Sequence, residues 1–182
     1  MQVTGKSFVL TMLALALAMS SGAWWYHYRA SRQAAQFWGP DAIQVLIGKG
    51  DVVLAELGEP RGDGESPAGA EAVAGRAVVN EHVLTDAPGL IHLRHALTLD
   101  ASFDWTRRRR EPLAGSGDWG YALRLADGHD WLDILWRRDF TEIGVPVTGG
   151  EQVEVLPGPR LAPAVQAYLR DAGVLPAAAA TR

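Results

Sequence analysis

Apolar and polar positions divide this chain into a short opening run and a longer patterned remainder. From Ser7 to Tyr28 no Asp, Glu, Lys or Arg interrupts the run, and Trp24, Trp25, Tyr26 and Tyr28 close it just before Arg29 and Arg32. Coiled as a helix at about 1.5 Å per residue, such a run crosses a hydrocarbon layer of roughly 30 Å, and aromatics followed by arginines suit the interface at one end of the span. The pattern predicts a membrane anchor with its collar over 1–32, in which Trp24, Trp25, Tyr26, Tyr28, Arg29 and Arg32 are the interface residues. A cleavable signal peptide is the rival, with Lys6 in its charged start, 8–19 as its apolar stretch and Ser21-Gly22-Ala23 as its small-residue cleavage site. Cleavage there leaves Trp-Trp-Tyr-His-Tyr at the new terminus, an apolar cluster that a soluble domain has to hide. The anchor is the preferred reading, with secretion after cleavage as the alternative.

Past the run, 29–38 keeps helical composition and reads as a short stalk continuing the membrane helix, interrupted by Gly39-Pro40. Pro40 suits the first turn of a new helix, where Ile43, Leu46 and Ile47 fall at helical spacing before Gly48 and Gly50. A strand over 51–57 follows, then a loop near 58–70, where four glycines and two prolines lie among charges and predict mobility. The segment 73–84 reads as one extended piece, and Thr85-Asp86 with Pro88 as the start of a deeply packed helix running to Leu99. Trp119, Tyr121, Leu123 and Leu125 alternate, Asp127-Gly128 supplies a turn, and Leu132, Ile134 and Trp136 alternate after it, which predicts a hairpin. Strands over 140–145 and 152–156 come next, and Pro163 opens an amphipathic helix carrying Val165, Tyr168, Leu169 and Ala172, stopped by Gly173. The end, 176–182, reads as a disordered tail.

This order of elements lacks regular strand-helix alternation and predicts an α+β fold. The expectation is an antiparallel sheet with helices packed on one face, Arg124 on a polar outer face, and one transmembrane helix ahead of it. Setting the anchor aside leaves about 150 residues, the usual size of one domain, taken as 33–175.

Charge and composition narrow the chemistry. The net charge is −4 with no acidic or basic tail, so nucleic acid is not an expected partner. The chain has no cysteine, which excludes disulfides, thiolate metal sites and cysteine nucleophiles. No cofactor is expected. His92 and His95 stand three apart on one helix, with His82 and Glu81 on the segment before, a spacing that lets imidazoles share a metal ion. The plainer account is histidines hydrogen-bonded in or beside the core.

Arg107, Arg108, Arg109 and Arg110 form the one dense positive run, expected in a loop where it docks an acidic partner or anionic headgroups, or is solvated beside Asp104 and Glu111. Seven tryptophans raise glycan binding, since indole faces stack on sugar rings; Trp105 and Trp131 are the least committed to the core by pattern. No Gly-x-Ser-x-Gly elbow is present, and Gly48-Lys49-Gly50 lacks the spacing of a phosphate-binding loop. Asp130 and Asp133 flank the hairpin, where solvation explains them.

Pro88-Gly-Leu-Ile-His-Leu-Arg-His-Ala-Leu97, the stretch Asp100-Ala-Ser-Phe-Asp-Trp105 and the hairpin strand Trp119-Gly-Tyr-Ala-Leu-Arg-Leu-Ala-Asp-Gly128 resemble segments of uncharacterised bacterial single-pass envelope proteins. The resemblance implies an envelope setting and no activity. The resulting expectation is a membrane-tethered binding or assembly module with an envelope protein partner. The alternatives are a metal-dependent or hydrolytic enzyme using the His82, His92 and His95 neighbourhood, or a glycan-binding domain using exposed Trp. The terminal amine and Lys6 balance Arg29 and Arg32, so the positive-inside rule does not orient the span. The export-like start favours an inner-membrane protein with its domain on the periplasmic side.

Overall fold

In the computed structural model, which describes residues 5–60, 72–113, 118–128, 130–147 and 151–176, the apolar run is a single helix, α1 (Gly5–Ala30). Its window Val9–Tyr26 has a mean hydropathy of 1.4 and none of it is buried among the described residues, so by length and composition it is able to cross a membrane; a signal sequence passes the same test. At Ser31 the chain turns into α2 (Arg32–Ile47). The sequence suggested a short helical stalk over 29–38; the segment is helical, and two of its residues are packed into the domain: Ala34 is 0% and Trp38 7% exposed, and the Trp38 indole N–H donates to the Leu97 carbonyl at 2.8 Å. Gly39, at φ 76°, breaks the helix where Gly39-Pro40 foretold, because Pro40 has no N–H to continue the ladder and the left-handed φ costs glycine little.

The remaining elements are β1 (Val52–Pro60), β2 (Ala72–Val73), β3 (Arg76–Val83), α3 (Leu90–Leu97), β4 (Arg109–Pro112), β5 (Trp119–Asp127), β6 (Asp130–Arg137), β7 (Glu142–Pro146), β8 (Gln152–Pro157) and α4 (Leu161–Asp171), with 3-10 turns at Asp100–Ser102 and Trp105–Arg107. All the strands join one antiparallel sheet in the order β2-β3-β1-β5-β6-β7-β8-β4. The α+β expectation holds. Of the loop expected near 58–70, Gly58, Glu59 and Pro60 belong to β1 and the rest lies outside the described residues, as does 177–182 of the tail.

One face of the sheet packs on the helices. Val52, Leu54, Leu123, Leu125, Ile134, Trp136, Ile143 and Leu156 meet Val45 and Leu46 of α2, Leu93 and Leu97 of α3, and Val165 and Leu169 of α4. The opposite face, expected to be polar, is apolar over much of its area. The sheet curls, bringing Ala55, Leu57, Val73, Trp119, Ala122, Leu135, Val153 and Val155 into a second buried cluster. Trp119 joins it through a register shift between Trp119 and Tyr121 in the pairing of β5 with β6. Period-2 alternation puts Trp119 on the helix face with Tyr121 and Leu123, and one extra residue reverses its side. Arg124 lies on the face expected for it, beside Asp133 at 3.2 Å and with its guanidinium 4.7 Å from the Trp131 ring centre.

Two further local expectations change. The segment 73–84 contains a tight turn, Ala74 at φ 54° and Gly75 at φ 74°, which makes β2 and β3 a hairpin. Thr85 does not cap α3; its hydroxyl accepts the Val52 amide N–H at 3.0 Å, and the helix starts later, after Gly89 at φ 90°. The helix exposes Ile91 and buries Leu93, Arg94 and Leu97, so it is packed on one side only.

Candidate functional site

The start of α2 exposes backbone N–H groups with no partners inside the helix. Ser31 stands at the N-cap and its side chain makes no capping bond. Asp100, at the head of the turn after α3, supplies the missing acceptor. Its carboxylate takes the Ala34 N–H at 2.7 Å and the Gln33 N–H at 3.1 Å, placing a negative charge at the positive end of the helix. The Asp100 carbonyl in turn accepts the Trp105 indole N–H at 2.8 Å. Phe37 meets Trp38 and Trp105 edge-on, with ring centres 4.9 and 6.0 Å apart, and Phe103 meets Trp105 at 5.6 Å. Arg108 lies over Phe37, its guanidinium carbon 5.1 Å from the ring centre. The segment carrying the arginine run is therefore clamped to the first turns of α2, and α2 begins one residue after α1.

The run itself was expected in a loop and is a 3-10 turn followed by the edge strand β4, paired to β8. Strand alternation gives its members different jobs. Arg109 turns to Glu142, with Nη1 and Nη2 on its two carboxylate oxygens at 2.9 and 2.8 Å, and to Glu111 through Nε at 2.8 Å. Arg137 completes this network on Glu111 and Glu142 at 3.0 and 3.1 Å. Glu142 and Glu111 raise the pKa of Arg109, and the hydrogen bonds from Arg109 hold the Glu142 carboxyl below its ordinary value. Arg108 donates to Glu154 at 2.7 Å. Arg110 opposes Glu154 in the ladder yet comes only within 3.9 Å of it, and Arg107 lies 3.8 Å from Asp104. The Thr106 hydroxyl already donates to Asp104 at 2.6 Å and lowers its pKa. An open groove of about 580 Å³ runs beside these groups, lined by Asp104, Arg107, Arg109, Thr141 and Glu142.

Along α1, the side chains of Trp24, Trp25, Tyr26 and Tyr28 are all exposed, and the Trp24 and Tyr28 rings stack at 5.7 Å. Arg32 is exposed, and the Arg29 side chain lies outside those described.

The three histidines are not brought together. His82 on β3 bonds Glu56 at 3.0 Å and Asn80 at 3.2 Å, while His92 and His95 are exposed on α3. Among the described residues no three His, Asp or Glu side chains are placed to hold a metal ion. Comparison of the chain with protein-family models, with curated proteins and with solved structures finds no match in any of the three. Function therefore rests on the geometry of this chain alone.

Of the tryptophans proposed for sugar stacking, Trp105 is partly buried against the helix-side core, whereas Trp131 is 65% exposed with Arg124 over one ring face. Asp133 is engaged by Arg124. A second cleft of about 470 Å³ opens between the end of α2 and α3, lined by Ile47, Lys49, Leu90, Ile91, Arg94 and His95. Arg94, 7% exposed, donates through Nη2 to the Gly50 carbonyl at 2.7 Å; burial lowers its pKa, and its Nε and Nη1 find no hydrogen-bond partner among the described residues. Sequence reasoning missed Asp100, Glu142, Glu154, Phe37 and Arg94. Glu142 and Glu154 sit more than thirty positions from Arg109 and Arg108, and no spacing rule links residues so far apart.

Proposed function

We propose that this chain is a single-pass, membrane-tethered binding or assembly module of the bacterial envelope, seated in the inner membrane with its α+β domain on the periplasmic side and an envelope protein as its partner. One observation carries this reading: the apolar helix runs, through a single turn residue, into a helix that is part of the domain core. Asp100 caps that helix, Ala34 and Trp38 are buried in the domain core, and Ser31 alone separates that helix from the apolar one. The exposed aromatics favour retention of α1 over cleavage. Were the chain cut after Ala23, Trp24, Trp25, Tyr26 and Tyr28, all exposed, would remain on the mature protein. Lipid headgroups supply the environment their amphipathic rings prefer.

An enzyme built on His82, His92 and His95 has no such support, because those residues do not converge. Glycan binding keeps one specific feature, the exposed ring face of Trp131 opposite Arg124.

Carbonate washing of native membranes tests the tether. Intact chain is expected to stay in the pellet with its original N-terminus, a reporter joined after Arg182 to be active outside the cytoplasm, and crosslinking in those membranes to trap a stable partner. Release by carbonate, or a native N-terminus at Trp24, overturns the anchored module; a reporter active only in the cytoplasm overturns its orientation.

A further inference from the structure

Resting on the tethered reading, we infer that Arg107 and Arg110 form a docking surface for anionic phospholipid headgroups, which lays the domain down on the bilayer that holds α1. Location and charge bookkeeping carry this inference together. Arg109 and Arg108 are committed within the domain, the first by three short bonds to Glu142 and Glu111, the second by a 2.7 Å bond to Glu154 and its seat on Phe37. Arg107 and Arg110 are not. Their side chains are 77% and 62% exposed, and each reaches its nearest carboxylate only at 3.8 or 3.9 Å. Glu154 is already paired with Arg108, whereas Asp104, bonded by the neutral Thr106 hydroxyl, keeps its negative charge 3.8 Å from Arg107. The surplus positive charge of the run thus rests chiefly on Arg110, with Arg107 exposed and partly balanced by Asp104.

Those two groups are held close to where the chain leaves the apolar helix. Phe37, to which the arginine segment is clamped, follows Tyr28 by nine residues, a rise of at most about 14 Å were the two helices in line, and less with the turn at Ser31. The headgroup layer extends several Å beyond the hydrocarbon edge, and the negative surface potential persists for about 8 Å further at physiological ionic strength. A long arginine side chain spans the remainder. Guanidinium groups match phosphate in shape and donor number, so a phosphodiester headgroup is the ligand this surface suits.

The chain has no cysteine, so Ala101→Cys, an exposed position on the turn next to Asp100, provides a single labelling site for a fluorophore. The labelled full chain is assembled into nanodiscs of phosphatidylcholine alone, or of phosphatidylcholine with phosphatidylglycerol, each doped with a headgroup-linked quencher. Discs present both leaflets, so insertion direction does not matter. We expect stronger quenching in the anionic discs, a loss of docked population of about five-fold for each of R107A and R110A, and recovery in R107K/R110K. R138A, which removes an exposed arginine paired with Asp118 elsewhere on the domain, is expected to change nothing. Equal quenching in the two lipids, or quenching that R107A/R110A leaves unaltered, overturns the surface and leaves the run to an acidic protein partner. Elution of the chain apart from the discs is a different failure, in which the tether itself is refuted and the surface with it.

Discussion

The carboxylate of Asp100 accepts the amide N–H of Ala34 at 2.7 Å, across 66 positions of chain. Through this bond a turn of the folded domain completes the first turn of the helix that follows α1. Asp100→Ala leaves the Ala34 and Gln33 N–H groups without their acceptor and is expected to cost about 1 kcal/mol. Asp100→Asn keeps an oxygen acceptor, loses the favourable charge, and is expected to cost less. Thermal melts of the detergent-solubilised chain read the difference, and an Ala variant that melts with the wild type refutes the capping role.

Gly144 leaves no room for a side chain. A β-carbon there would lie 2.6 Å from Trp119 Cη2 and 2.7 Å from Val153 Cγ2, inside the second buried cluster. Overpacking by Gly144→Ala is expected to destabilise the domain by about 1–3 kcal/mol, measured as a lower denaturant midpoint. A neutral outcome means that the far side of the sheet is looser than the described packing.

Acid sensitivity is expected from Glu142. Arg109, first, and Arg137 hold its carboxyl below the ordinary value of 4.5, so the folded chain takes up this proton less readily than the unfolded one. The stabilisation is complete above that value and is lost as pH falls through the lower, folded-state value. Glu142→Gln is expected to lose about 1–2 kcal/mol near neutrality, allowing for partial solvent screening, and to flatten the acid limb of a stability–pH profile. An acid limb as steep as the wild type's assigns the effect to other carboxylates.

Metal is not expected to support the fold. His82 is occupied by Glu56 and Asn80, and His92 and His95 gather no third ligand among the described residues. Dialysis against a chelator is expected to leave the melting temperature unchanged, as is added zinc at stoichiometric concentration. A clear upward shift with one equivalent of zinc would mean that the histidines meet in a conformation not described here.

Much of the fold could be read before any coordinates. The hairpin of β5 and β6 was legible because alternation at Leu123, Leu125, Leu132 and Ile134 and the turn at Asp127-Gly128 are written within a few residues of one another. The stops at Gly48 and Gly173 were legible for the same reason. Trp119 was legible as a core residue but not as to which core, because the shift beside Gly120 leaves no mark in the hydrophobic period. The arginine run was visible as charge, whereas the division between committed and outward-facing members depended on β4 finding β8.

The linear pattern by itself determined the apolar helix, the α+β class and the hairpin of β5 and β6, since these follow from periodicities and turn chemistry acting over a handful of neighbours. Only tertiary structure decided that Ala34 and Trp38 are buried in the domain core, that the second sheet face closes on itself, and which arginines face outward. Each of those outcomes depends on groups tens of residues apart arriving at hydrogen-bonding or van der Waals distance, and it is the sheet order and its curl that bring them together.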